Sequence, residues 1–503
     1  MRLHHRLLCL TLLAACNSAA PLPVEEGLVL AGDNRTELEF VLGHFRRAND
    51  PQKLAAAEFL IGNMETHGAT RIELTDEDGT ELGFDARRFP DLSSAQAELD
   101  RLESAHPGVE FRRTNFDRDL DRITSKYLIE NIDLAFEAWR TCPWAQSLSF
   151  EVFKQYVLPY RGSNEPLGRW RPDCVAEWAD LSRRMEDPTD AREAGKLVRA
   201  DLNQWIRFSD LYYLHPTDQS YLEMRRSGVG RCEDISNLAA YAMRANAIPV
   251  ATDYTPWWAT RDNNHAWEVV LDGEGHGTAG LSNRPAKVYR KTFAVQTDCL
   301  AAQLPAGEEI PRWLNRRNFI DVTDQYVETS TVHLQLADGA DHRAGYLCVF
   351  NGGEWRAIAG ALVQADGSLD FADMGRELCY LPAWFEDDEL VPAGPPLLLE
   401  ADGSLSMLAP REDRETVLLE AAAPRTPDAD TGQTRASLTL DPGAGYELFV
   451  WDKGWQTLDT PTLDAGSTLT REVPAGALLW LVRDDSRRLE RIFTVSDGVQ
   501  RWW

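Results

Sequence analysis

Cysteine is scarce in this chain, eight in 503 residues, and no two are spaced as CxxC. Neither a zinc knuckle nor a thioredoxin-type redox pair is written here, and no metal or cofactor is expected. Long apolar runs are missing too. Beyond residue 16 no stretch reaches the roughly 18 apolar residues that a membrane-spanning helix needs. Basic residues are the deficit sign: 52 Lys and Arg stand against 80 Asp and Glu, a net charge of −28. A polyanion would be repelled by that balance, which excludes nucleic acid as a partner. What is abundant is length and apolar content, 43% of residues, enough for several domains.

The first residues read as an address. Arg2 and Arg6 precede a short apolar run from Leu7 to Leu13, and "LAAC" ends at Cys16 with small residues before it. This resembles a bacterial lipoprotein signal, so residues 1–16 are expected to be a signal peptide and Cys16 the lipid attachment site. Asn17 after it points to the outer membrane of a Gram-negative bacterium, on the periplasmic face or the cell surface. The lipid would be the only anchor.

The front third carries helical periodicity. "ELEFVLGHF" and "KLAAAEFLIGNM" read as two helices, and others fit 119–139, 150–157, 175–185 and 191–208. "TRIELTDEDGTELGF" reads as a small hairpin about Asp78-Gly79. From Ile248 onward β-branched and aromatic runs alternate with Gly and Asp turns. The last part holds an internal repeat: "AGYLCVFNGGEW" at Ala344 and "AGYELFVWDKGW" at Ala444 lie 100 residues apart. "ELCYL" and "ALLWL" recur at the same offset. Two copies of one β module are expected. The acidic run Glu386–Glu389 reads as a solvated loop.

"SGVGRCEDISNLAAYAMRANAIPV" (227–250) places Cys232 after two glycines and before an amphipathic helix. A helix N-terminus favours negative charge, and so a thiolate. A thiol nucleophile also needs a base, and the next histidine is His265, opening the strand "HAWEVVL". A helix-start cysteine alone is more often a packing residue, as is a strand-start histidine. Together, in a helix-then-sheet order, they read as a catalytic pair.

These residues resemble the transglutaminase-like superfamily of papain-type cysteine enzymes, whose pattern is a helix-start Cys, a helix end like "MRANAIP" and then "HAW" on a strand. "AGDNRTELEFVL", "YLIENIDLAFEAW", "LPYRGSNEPLGRW", "PAKVYRKTF" and "GVQRWW" extend the resemblance, over nearly the full length, to transglutaminase-like lipoproteins of Gram-negative bacteria. The resemblance implies an α+β protein with a transglutaminase-like, papain-like core, an N-terminal helical region and two C-terminal all-β modules. The expected divisions are 17–130 for the helical region with its hairpin, 131–328 for the core, 329–407 for the first module, and 408–503 for a linker and the second. The implied activity is that of a cysteine hydrolase or acyltransferase on amide bonds of peptides or glycopeptides. The alternatives are a catalytically weakened relative that binds glycan or protein partners at the outer membrane, and a purely structural lipoprotein.

The superfamily expects a third residue that orients the histidine. Asp272 is seven residues along the same strand, about 23 Å away in extended chain, and is rejected. A hairpin turn at Asp272–Gly275 would set the residue opposite His265 near Ser282, which makes Asn283 the polar candidate. Trp257 and Trp258, between Cys232 and His265, are candidates for a substrate platform. Tyr160 and Arg161 of "PYRGSNEP", with Asn164 and Glu165, are candidate cleft contacts. Gln219 is a candidate oxyanion donor. Oligomeric state is not legible.

Overall fold

The computed structural model describes residues 24–336, 339–420, 440–464, 468–484, 486 and 490–503. Cys16 and the signal segment lie outside the described residues, as do residues 421–439. Among the described residues no helix is long and apolar enough to cross a membrane.

The helical front is built on periodicity and caps. Helix α1 (Arg35–Arg47) buries Leu38, Val41, Leu42 and Phe45 on one stripe. Helix α2 (Pro51–Gly62) starts on Asp50, whose side chain accepts from the Lys53 N–H, with proline at the first helical position. The hairpin expected about Asp78-Gly79 does not form. Strand β1 (Gly68–Thr75) pairs instead with β2 (Glu110–Arg118), and beyond the turn only an isolated bridge joins Thr75 to Glu81. A tight turn and a more distant core account for this. Asp76 accepts from the N–H groups of Asp78 and Thr80, closing a tight turn. Phe84 then joins a core with Leu99 and Leu102 of helix Leu92–Ala105, which takes the chain away from β1.

Helix α3 (Ser125–Thr141) is capped by Thr124 and packs on α1 and α2. The helix expected over 175–185 begins earlier, at Trp170–Glu177, and is interrupted before Leu181–Arg184. Helix α4 (Ala191–Leu202) stops short of Phe208, which belongs to a two-residue strand.

Helix α5 (Cys232–Ala245) is the centre of the core, buried from Asp234 to its end. It packs on an antiparallel sheet of β3 (Val250–Thr255), β4 (His265–Val270), β5 (Tyr289–Lys291) and β6 (Phe319–Asp321), in the order β4-β3-β5-β6. Strand β4 is therefore an edge strand, paired only with β3, and Thr255 stands opposite His265.

The C-terminal part repeats one topology. Strands β7 (Thr329–Gln335), β8 (Ala344–Asn351), β9 (Glu354–Leu362), β10 (Ser368–Gly375) and β11 (Leu378–Glu386) pair as β9-β8-β11 and β10-β7. Strands β12 (Arg414–Leu419), β13 (Tyr446–Trp451), β14 (Trp455–Asp459), β15 (Leu469–Pro474) and β16 (Leu479–Arg483) pair as β14-β13-β16 and β12-β15. Register matches as well as order: Tyr346 faces Ala383, and Tyr446 faces Arg483. Alternation along β8 explains the layering. Leu347 and Val349 face the sheet of β7 and β10. Tyr346, Cys348 and Phe350 face the other way, onto Phe449, Trp451 and Trp480 of the second module.

Candidate active site

Two glycines set the approach to Cys232. Gly228 ends helix Tyr221–Ser227 in the left-handed conformation, φ 65°, which a side chain would strain. Gly230 passes so close to Asp234 that a Cβ would sit 2.8 Å from the Asp234 Cβ. Asp234 accepts the N–H of Arg231 at 2.9 Å and of Gln219 at 3.0 Å, and so caps α5. Cys232 begins the helix half-buried, with its thiol against the backbone of Ala266, the residue after His265. Ser236, one turn further, donates to the Ala266 carbonyl at 3.4 Å. The start of α5 and the start of β4 are thereby held together, and the cysteine and histidine share one end of the core.

Electrostatics differ from the sequence expectation of a stabilised thiolate. Burial pushes the Cys232 thiol above its ordinary range, and the Glu233 carboxylate adds to that; backbone N–H groups of Ala266 and Glu233 and the charge of Arg231 pull the other way without prevailing. Desolvation also lowers the His265 pKa, and the nearby Arg261 charge lowers it further. The resting pair is thiol and neutral imidazole.

Polar orientation of His265 is not provided by Asn283. The hairpin that would have placed it opposite does not form. The carbonyls of Gly275 and Gly277 accept from the buried Arg290 guanidinium at 3.0 and 2.7 Å, drawing the chain across the sheet instead of along β4. Asn283 lies in a loop, 8% exposed, its amide donating to Ser282 Oγ. The imidazole packs instead against two indoles, Trp258 with ring centroids 6.3 Å apart and Trp267 at 5.3 Å. Trp267 is fixed in turn by a chain of hydrogen bonds. Its Nε1 donates to the Tyr326 hydroxyl at 3.0 Å, and that hydroxyl donates to Asp253 at 2.8 Å. Asp253 is held by both arms of Arg290.

The remaining candidates fall elsewhere. Trp258 is buried beside His265, while Trp257 packs into the first β module beneath Arg356. Tyr160 and Arg161 are core residues: Arg161 grips Asp119 at 2.8 and 2.5 Å, and Tyr160 donates to the same carboxylate at 3.0 Å. Glu165 is buried with them and accepts from the Gly162 and Ser163 N–H groups. Gln219 is buried, and its amide donates to the Val229 carbonyl at 3.0 Å.

Beyond Trp257 and Trp258, sequence reasoning passed over the loop of residues 256–264, which leads into His265. Asn351, at the end of β8, donates to the carbonyls of Trp258, Arg261 and Asn263 at 2.9, 3.0 and 3.0 Å, and accepts the Asn263 N–H. Gly352 N–H donates to Asp262 at 2.8 Å. Arg491, from the second module, donates to the carbonyls of Ala259, Phe350 and Trp503. Asn351 belongs to "FNGGEW", where an Asn-Gly pair signals only a turn. Tyr213, close enough to Cys232 for their charges to interact, carried no signal at all.

Cys232 on the first turn of a buried helix thus lies beside the strand that His265 opens. Residues 179–277 match the family model of the transglutaminase-like superfamily, and this stretch, which holds both Cys232 and His265, is a transglutaminase-like domain. A search of curated proteins returned no match to the chain. Six cysteines are free thiols among the described residues, Cys232 included.

Proposed function

We propose that the protein is a cysteine hydrolase or acyltransferase that acts on amide bonds of peptides or glycopeptides. The observation that carries this reading is the Cys232 thiol lying against Ala266, next to His265. The neutral imidazole takes the thiol proton as sulfur attacks the carbonyl carbon. The tetrahedral adduct collapses with loss of the C–N bond, and the imidazolium returns its proton to the leaving amine. Water, deprotonated by the same imidazole, then cleaves the thioester to acid and thiol; an amine in its place gives transfer. The "LAAC" signal supports export and attachment through lipid on Cys16 at the outer membrane.

A second reading, a binding protein on a weakened site, is favoured by one observation: His265 has no hydrogen-bond partner on its ring among the described residues. The deciding experiment assays purified protein, with Cys232→Ala beside it, for release of amine from a peptide mixture. Activity in the wild type that falls at least about a hundredfold in the variant supports the enzyme; activity that survives removes Cys232 from the mechanism.

A further inference from the structure

Cys232 shares the first turn of α5 with two carboxylates, Glu233 and Asp234. A helix N-terminus favours acids there. A carboxylate on the residue next to a nucleophilic cysteine nevertheless opposes the thiolate that must form. The turn is balanced from outside. Arg231 donates to Asp218, to Asp234 and to the Pro216 carbonyl, and so is fully committed. Glu233 is held by Lys291, the last residue of β5, whose Nζ donates to the Glu233 carboxylate and to Ser163 Oγ at 3.0 Å. The same ammonium lies 5.8 Å from the centre of the Tyr254 ring. The Lys291 and Glu233 side chains are 18% and 24% exposed, so salt screens the pair less than one on the open surface. Arg261 and Arg316, whose charges are felt at His265 and Tyr254, make no ion pair with Glu233 among the described residues.

Three carboxylates, Asp218, Glu233 and Asp234, thus meet two cations, Arg231 and Lys291, at the end of the core that carries Cys232. Without Lys291, Glu233 has no cation of its own. We propose that Lys291 is a positioning residue for the reaction of Cys232: it clamps and neutralises the Glu233 carboxylate, so that the proton passed to His265 does not leave a thiolate beside a bare negative charge. This rests on Cys232 being the nucleophile. Lys291 acts through Glu233 and takes no part in bond making. Burial alone would favour the neutral Glu233 carboxyl; the Lys291 charge and hydrogen bond hold it ionised, below the usual carboxylate range. The charge is therefore present at neutral pH and must be balanced. The stretch "PAKVYRKTF" gains two roles in this way, Arg290 on Asp253 and Lys291 on Glu233.

The test needs no identified substrate. Iodoacetamide alkylates a thiol by displacement: the C–S bond forms, iodide leaves, and the thiol proton passes to His265 or solvent. Rates at Cys232, read by peptide mass mapping from pH 5 to 10, are compared among four variants. Lys291→Met bares the carboxylate; it should slow alkylation about tenfold at pH 7 and move the profile up by about one pH unit. Lys291→Arg, which keeps the charge, should stay within about threefold of wild type. Glu233→Gln leaves Lys291 unopposed and should alkylate faster than wild type, a prediction that stands whether or not Lys291→Met folds well. The double variant Glu233→Gln, Lys291→Met separates charge from packing: it should regain at least the wild-type rate. A Lys291→Met profile that matches wild type, a Glu233→Gln variant no faster than wild type, or a double variant as slow as Lys291→Met overturns the assignment. A His265→Gln control keeps the two failures apart. Rates indifferent to His265 remove the nucleophile reading, whereas rates that depend on His265 but not on Glu233 or Lys291 overturn the role of the clamp alone.

Discussion

Arg161 shows how little a residue's chemistry says without its surroundings. In a loop rich in Gly, Asn and Pro it reads as a cleft contact, yet its side chain is 1% exposed and clasps Asp119, itself 2% exposed. Burial of the guanidinium is offset by the Asp119 and Glu165 charges, which together raise its pKa. Removing one member of such a pair strands the other charge in low dielectric. Arg161→Ala should therefore lose about 3–5 kcal/mol of unfolding free energy in denaturant titrations. A loss below about 1 kcal/mol, the scale of an exposed pair, would show that the loop is solvated. Cys232 makes the converse point. Its place on a helix N-terminus was legible from the glycines and the apolar period that follows, but its protonation was not. Burial against β4, a tertiary effect, outweighs the helix end.

At the scale of elements, what was local was readable. Helix α5 has its cap residue, its apolar stripe and its stop at Asn246 within one stretch, and β4 has its alternation. The partner of β1 and the route after Asp272 were not, because each is decided by distant groups: Leu99 and Leu102 for the first, Arg290 for the second. A turn residue in β8 illustrates the same limit. Asn351 is 3% exposed, and one side chain satisfies three carbonyls of the loop before His265. Asn351→Ala leaves those carbonyls unpaired and should cost about 1–3 kcal/mol. The loop then loosens, and the His265-dependent part of Cys232 alkylation should fall. A variant that melts lower but alkylates at the wild-type rate would confine Asn351 to a structural role.

The whole molecule joins its parts through that loop. The two β modules meet across a face of aromatic residues, with Phe350 edge-on to Trp455 and Trp480 at ring distances of 5.8 and 5.1 Å. Arg491, buried, ties the second module to Phe350 of the first and to Ala259 of the core loop. The repeat was visible in sequence as a 100-residue offset; that its hairpin end also grips the segment before His265 was not, since no local pattern records a contact across 88 residues of chain. The modules are thus part of what positions the histidine.

The central claim is that Cys232 is a half-buried thiol activated by a neutral His265. It is tested most directly by the rate of iodoacetamide alkylation at Cys232 against pH, in the wild type and in His265→Gln. With the thiol held above its ordinary range, the thiolate fraction is small at pH 7 and grows only as pH rises; with the histidine pKa lowered, the base is already deprotonated there. The account predicts that His265→Gln slows alkylation at pH 7 by at least about tenfold, and that the difference narrows at high pH where thiolate forms unaided. Equal rates in the two proteins across the pH range would contradict it.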